Sequence, residues 1–206
     1  MPELLIDFVT SLDGYGAAEG WPGWWGLEGP EYLAWLGDEP RDYTILMGAN
    51  TYRLMSRLAA DGKPGTDALA GFSKIVFSST LAEPLSWPNS RLVGGDPVEA
   101  VRELKDEGAG SLHTLGSLTL CRSLLAAGLV DRFRVVVFPV ITGRTGRDRI
   151  YDGYPDVALE LATAVCSTTG SSCSSTSRRF SQGHPAPATT AASTLSTRAS
   201  GATPCF

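Results

Sequence analysis

Tyr43-Thr44-Ile45-Leu46-Met47-Gly48-Ala49-Asn50-Thr51 is the stretch on which the fold turns. A β-prone apolar run stops at a glycine. Two residues on, Asn50 offers a helix cap, and helical spacing continues to about Leu58. A strand that passes through a small-residue turn into a helix is half of a strand–helix–strand unit. The pattern recurs on both sides. Leu4 to Val9 reads as a buried strand, and Glu31 to Gly37 as a helix entered through Pro30. Lys74 to Phe77 and Arg91 to Val93 are short strands. Asp96-Pro97-Val98-Glu99 combines an N-cap, a proline at the first helical position and a capping-box Glu, with a stop at Gly108. Ser111 to Leu115 predicts a strand and Leu118 to Ala127 a helix closed by Gly128. Arg134 to Ile141 and Val157 to Thr163 predict the last two strands. Such alternation specifies an α/β fold: a mostly parallel sheet with helices on both faces. Ligands of open sheets sit at the carboxyl ends of the strands.

Composition narrows the functional classes. The 206 residues are 43% hydrophobic and 19% charged, as in a soluble globular chain, and the net charge of -5 argues against nucleic acid held through its phosphates. Met1 leads directly into the first strand without the basic flank of a signal peptide, and no run is long enough to span a bilayer. The expected location is therefore the cytoplasm, with no membrane partner. The four cysteines, Cys121, Cys166, Cys173 and Cys205, form no CxxC pair, so no metal site is expected. Cys121 and His113 read as structural residues.

Three turns place small residues just before a helix: Gly48-Ala49-Asn50-Thr51, Gly94-Gly95-Asp96 and Gly116-Ser117-Leu118-Thr119. Helix N-termini present unpaired N–H groups and partial positive charge, and small residues let a phosphate approach them. Several such turns along one edge suit a dinucleotide; each alone is also ordinary punctuation. Neither GxxxxGK[ST] nor GxGxxG is present. Asp13, in Thr10-Ser11-Leu12-Asp13-Gly14, stands at the mouth of the first strand. It suits a donor-rich ring or a ribose hydroxyl, or equally a simple Asp-Gly turn. Trp25, in Trp21-Pro22-Gly23-Trp24-Trp25, offers a face for a flat substrate or a ring that docks its loop on the core.

In chain order, Ser11-Leu12-Asp13-Gly14, Met47-Gly48-Ala49-Asn50-Thr51-Tyr52, Phe77-Ser78-Ser79-Thr80, Gly116-Ser117-Leu118-Thr119-Leu120, Ala127-Gly128-Leu129-Val130-Asp131 and Phe138-Pro139-Val140-Ile141-Thr142-Gly143 resemble the dihydrofolate reductase fold. The last two are typical of its riboflavin-reductase branch, the RibD C-terminal domain family. The likeness covers about residues 3–163. It implies an NADPH-dependent oxidoreductase, NADH not being excluded, that reduces a small pyrimidine- or pterin-like heterocycle. It relates the chain to 5-amino-6-(5-phosphoribosylamino)uracil reductase of riboflavin biosynthesis. It further implies cofactor contacts at Gly48, Thr51, Ser78, Ser79, Gly116, Ser117, Leu118 and Thr119, a substrate-orienting Asp13, and a homodimer as one assembly. The family often has Arg where this chain has Ala49, which removes a guanidinium suited to the extra phosphate of NADPH. A nucleotide-binding paralogue without turnover and a chain inactivated by its C-terminus are the alternatives.

That C-terminus differs in kind. No Asp or Glu follows Glu160, and residues 167–206 hold 18 Ser or Thr in 40, with Leu195 as the one Leu, Ile, Val or Met. The composition predicts a disordered tail over 164–206 beside a domain over 1–163, the family's last strand being missing. Back-translation of residues 167–180 with GC-rich codons, read one base earlier, can give Phe-Asp-Asp-Arg-Leu-Gln-Leu-Leu-Glu-Tyr-Val-Pro-Thr-Val, which alternates as a strand does. The tail is thus read as a frameshift product, with a natural linker as the alternative.

Overall fold

The first apolar run forms β1, Leu4–Ser11, with both faces buried along most of its length. A computed structural model describes residues 2–165, except 22, 39, 41, 64, 65 and 109, together with residues 174–180. After β1 come β2 (Tyr15–Ala18), α1 (Pro30–Gly37), β3 (Tyr43–Gly48), α2 (Ala49–Ala60), α3 (Thr66–Ala70), β4 (Lys74–Phe77) and β5 (Ser90–Val93). Then follow α4 (Pro97–Asp106), β6 (Ser111–Thr114), α5 (Leu118–Ala126), β7 (Arg132–Phe138), β8 (Gly146–Arg149), β9 (Leu159–Val165) and β10 (Ser174–Phe180). The main sheet has the order β5-β4-β3-β6-β1-β7-β10-β9. Its first six strands are parallel. Strand β2 pairs with β8 in a separate antiparallel ribbon, which sequence reading did not anticipate.

Period-2 alternation divides the core. Leu4, Ile6, Phe8, Leu46, Leu112, Phe133 and Val135 face α4 and α5, with Val101, Leu120, Cys121 and Leu124 packed on them. On the other face Ile45, Met47 and Val76 meet Tyr52 of α2. There Val136 and Phe138 meet Tyr32 and the half-buried Trp35 of α1. The expected sheet with helices on both faces is what forms. Asp7 and Arg134 are partners in the β1–β7 register, pair at 2.5 Å, and carry Trp35 over the guanidinium. Buried Lys74 donates to the carbonyls of Leu69, Ala70 and Phe72, which closes the end of α3.

Asp96 caps α4 as expected, accepting from the Val98 N–H at 2.9 Å. The capping-box Glu99 instead pairs with Arg102. The cap of α2 is Gly48, not Asn50. Gly48 still pairs with Phe77 in the ladder, so the helix begins directly at the strand's end, and the Asn50 amide accepts from Arg53.

The expectation that the sheet lacks its last strand, with everything after residue 163 outside it, is corrected. Strand β9 runs on to Val165, and β10 lies between β7 and β9, antiparallel to both. A ladder is built from backbone N–H and C=O groups, which Ser, Thr and Arg supply as well as Val does. Ser174–Phe180 contains neither Gly nor Pro, and without it the edge of β7 would be open. Residues 166–173 and 181–206, where disorder was also expected, lie outside the described residues.

We propose that the gene carries a frameshift near codon 165. The strand between β7 and β9 has neighbours on both sides, yet its sequence is Ser-Ser-Thr-Ser-Arg-Arg-Phe. Replacing residues 167–180 by the frame-restored peptide quoted above should raise the melting temperature by about 5 °C or more, since each Leu brought from water into the core contributes about 1.5–3 kcal/mol. An unchanged or lower melting temperature would identify the polar strand as native.

Candidate functional site

Adjacent parallel strands β3 and β6 send their helices to opposite faces of the sheet. Helix α2 packs with Ile45 and Met47, and α5 with Leu46. Where neighbouring strands diverge in this way a crevice opens at their carboxyl ends. Both helices begin at its rim without a side-chain cap: α2 starts at Gly48, which has no side chain, and the Ser117 hydroxyl does not bond to α5. The first-turn N–H groups of two helices are therefore available to one anionic ligand.

A single side chain joins the two rims. Ser117 Oγ accepts from the Gly48 N–H at 2.8 Å and lies 2.8 Å from Thr51 Oγ1. Its own proton reaches the Leu115 carbonyl at 3.3 Å. The assignment that satisfies all three contacts makes Thr51 the donor in the hydroxyl pair. Ser117 then has no capacity left for a ligand, so its contribution to one is backbone and position. The turn requires left-handed backbone at Gly116 (φ 55) and Ser117 (φ 65). Glycine serves the first of these, where an added Cβ would come within 3.4 Å of Thr51 Oγ1. Gly48, Thr51, Gly116 and Ser117, singled out separately in the sequence, thus form one structure. Leu118 packs on the core, and Thr119 is exposed on the first turn of α5.

One strand farther out, Ser78 Oγ accepts the N–H groups of Thr80 (3.0 Å) and Leu81 (3.1 Å) and so shapes the loop after β4. Ser79 is exposed beside it. Arg53, which sequence reading missed, spans from α2 to this loop. Its guanidinium donates to Thr80 Oγ1 at 3.0 Å and to Asn50 Oδ1 at 3.2 Å. It pairs with no carboxylate among the described residues. The signal lay in the sequence as an Arg four residues after Ala49, one helical turn on.

On the β1 side, Asp13 faces its own loop. One oxygen accepts from Ser11 Oγ (2.7 Å) and the Thr142 N–H (3.1 Å), the other from the Gly143 N–H (2.8 Å). Asp13 thereby fastens the end of β1 to the turn after β7. Below that turn Gly146 is obligatory, since a Cβ there would meet the Tyr15 ring at 2.6 Å and Thr142 Oγ1 at 2.7 Å. Trp25 lies over the same end of the sheet, its ring 5.8 Å from Phe138. His113 stacks on Tyr43 at 3.7 Å and takes a structural place in the strand. Cys121 is buried with Sγ toward the Gly116 carbonyl, and burial pushes its thiol up to about 12. A thiol so raised is not a nucleophile near neutrality. Among the described residues no three His, Cys, Asp or Glu side chains converge as metal ligands.

The bond from Ser11 lowers the Asp13 carboxyl most; burial opposes it, and the bonds from the Gly143 and Thr142 amides add to the lowering, so that the group is held down at about 2. A pKa depressed in the folded state stabilises above the unfolded value near 3.8 and ceases to do so as pH falls through about 2. Asp13→Asn should therefore cost about 1–3 kcal/mol at pH 7. The gap between the variant and the parent in urea unfolding should narrow as pH drops from about 4 toward 2. A gap that stays constant over that range would exclude the carboxylate as the clasp.

Comparisons with known proteins bear on the fold and the family. The model of the RibD C-terminal domain matches residues 2–173. A crystal structure named as a riboflavin biosynthesis protein from Shewanella sp. PV-4 superposes with a TM-score of 0.63 at 20% identity, covering 87% of this chain and 99% of the other. A pyrimidine reductase-like protein from Corynebacterium diphtheriae gives 0.58 at 15% identity, with 88% and 93% covered. RibD of Acinetobacter baumannii gives 0.59 at 14% identity, and there this chain, 88% covered, spans 58% of the other. No curated protein matches by sequence. The family match over most of the chain establishes that the protein belongs to the RibD C-terminal domain family of reductases.

Proposed function

We propose that the protein is an NADPH-dependent reductase of a small pyrimidine- or pterin-like heterocycle. The observation that carries this reading is the crevice between β3 and β6, where two helix starts without side-chain caps are held together by Ser117. Two such N-termini aimed at one place suit a diphosphate. Without a side chain at Gly116 the turn before α5 can approach Thr51, so that both helix starts stand at one crevice. Successive parallel strands stand about 4.8 Å apart, so the carboxyl ends from β4 to β1 offer roughly 15 Å along which a dinucleotide can lie. At the β4 end Arg53, Ser79 and Thr80 present a cation and hydroxyls, with no carboxylate paired to the guanidinium among the described residues. This suits the additional phosphate of NADPH and makes good the Arg absent at Ala49.

When bound, the nicotinamide supplies the hydride. The residues of the chain bind and orient. Gly48, Thr51 and Ser117 fix the separation of the two helix starts. Asp13 holds the Thr142–Gly143 turn in place, and with it the wall of the substrate end. The neighbouring structures named for riboflavin biosynthesis and pyrimidine reduction favour the same substrate class.

NADPH at millimolar concentration should raise the melting temperature, because a ligand of the folded state alone adds RT ln(1 + [L]/Kd) to stability. If neither NADPH nor NADH shifts it, the cofactor assignment is wrong. Thr51→Val should weaken NADPH binding by about 0.5–1.5 kcal/mol by loosening the tie to Ser117. Arg53→Ala should reduce the preference for NADPH over NADH at least about tenfold, with NADH affinity little changed. Equal losses for both nucleotides would place Arg53 away from the extra phosphate.

A further inference from the structure

Around the β2–β8 ribbon three large apolar side chains stand open to solvent. Leu12 is 63% exposed, Ile141 71% and Tyr151 49%. Local bonds gather them. The Leu12 N–H donates at 2.7 Å to the Val140 carbonyl, which belongs to the same peptide unit as the Ile141 nitrogen. The Ile150 N–H donates to the Gly14 carbonyl at 3.0 Å, and a Cβ on Gly14 would lie 3.3 Å from the Tyr151 ring. Leu12 stands shortly before β2, and Ile141 and Tyr151 stand before and after β8. Exposed apolar groups that cluster in this way, with polar residues around them, mark a surface that something covers.

The ribbon and its charges indicate what covers it. Its two strands have four residues each, and among the described residues each pairs only with the other. A two-stranded ribbon is marginal alone, and both of its strands keep an unpaired edge. Its charges mix signs. Arg147 pairs with Glu19 at 2.9 Å and Arg149 with Asp152 at 3.7 Å, all four exposed, with Asp148 between the two arginines and Arg144 before them. A two-fold interface brings a surface against its own copy. A face of one sign repels its copy, whereas a face that mixes both can match charges across the axis. The other exposed apolar groups lack this property. Leu33 and Leu36 of α1 stand among Glu28, Glu31 and Asp38, and α1 carries no Lys or Arg. Leu161 lies on β9, whose register slips between Thr163 and Leu161, and a bulge of that kind protects an edge from pairing.

We infer that the face around the β2–β8 ribbon is where two copies of the chain meet about a two-fold axis. Leu12, Ile141 and Tyr151 form its apolar centre, and the charged pairs of the ribbon form its rim, the usual anatomy of an interface. The face adjoins the Asp13 clasp, so the second copy stands beside the β1 end of the carboxyl edge. The inference does not rest on the reductase reading, and either can fail alone.

Sedimentation velocity of the full chain at rising concentration tests it. The parent should form a dimer. Ile141→Asp places a carboxylate at the most exposed of the three positions. Because a two-fold axis repeats each contact, it should raise the dissociation constant of the dimer by about 100-fold or more. Leu33→Asp, the like change on α1, should leave that constant as it is. A parent that stays monomeric overturns the inference. So does a dimer that survives Ile141→Asp, or one that Leu33→Asp breaks. Circular dichroism checks that each variant folds. Should Ile141→Asp not fold, hydrogen exchange of the parent decides. The amides of residues 12–18 and 141–151 should exchange more slowly as protein concentration rises, while those of α1 do not change. No dependence on concentration, or dependence at α1 instead, overturns the inference.

Discussion

Ser117 holds two strands' worth of architecture with one hydroxyl. Strands β3 and β6 are neighbours, but their helices leave for opposite faces, and nothing in a parallel ladder sets how far apart the two helix starts stand. The hydroxyl does so by taking the Gly48 N–H and pairing with Thr51, each at 2.8 Å. It requires left-handed backbone at a non-glycine residue, a conformation that is costly unless local hydrogen bonds favour it. It also requires that Gly116 have no side chain, because Thr51 stands where a Cβ would press. The tie spans the crevice and leaves α5 uncapped, since the side chain that would have capped it is turned across the gap, while α2 starts at Gly48, which has no side chain to cap with.

The β1 end of the same edge is organised by a different bond set with a similar purpose. Asp13 spans from the end of β1 to the turn after β7 and meets two backbone amides there. That turn continues into β8, whose pairing with β2 returns the chain to the loop containing Asp13. The carboxylate thus closes a small circuit: β1, its own turn, β2, β8 and back. Its two oxygens are engaged within that circuit, which makes it a positioning group for the wall beside the aromatic cluster. Underneath, the Asp7–Arg134 pair and Trp35 hold α1 against the sheet, so the cluster has a fixed floor.

Much of this was legible in the sequence because local signals agreed with the global fold. Asp96-Pro97 and Gly108 bracket α4, and the apolar run from Arg134 to Ile141 reads as a strand, which forms as Arg132–Phe138 and stops before Pro139. The turn residues Gly48, Thr51, Gly116 and Ser117 were visible as small residues before helices. That they meet was not visible, because a contact across 66 residues leaves no local periodicity. The same holds for Arg53 and Thr80, and for the β2–β8 ribbon, whose strands are four residues each. Asn50 misled as a cap because its type suits one, while the ladder carried Gly48 to the helix itself. The polar last strand misled in the opposite sense: composition argued against a strand where backbone pairing and an open edge accommodate one.

The central claim is that the dinucleotide's phosphates lie between β3 and β6. Backbone amide mapping tests it most directly, since the contacts expected are with N–H groups. On titrating NADPH into 15N-labelled protein, the amide signals of Ala49, Asn50 and Thr51 and of Leu118 and Thr119 should move together, ahead of those at the amino ends of the strands. Shifts confined to one of the two helix starts, or found at the opposite edge of the sheet, would contradict it.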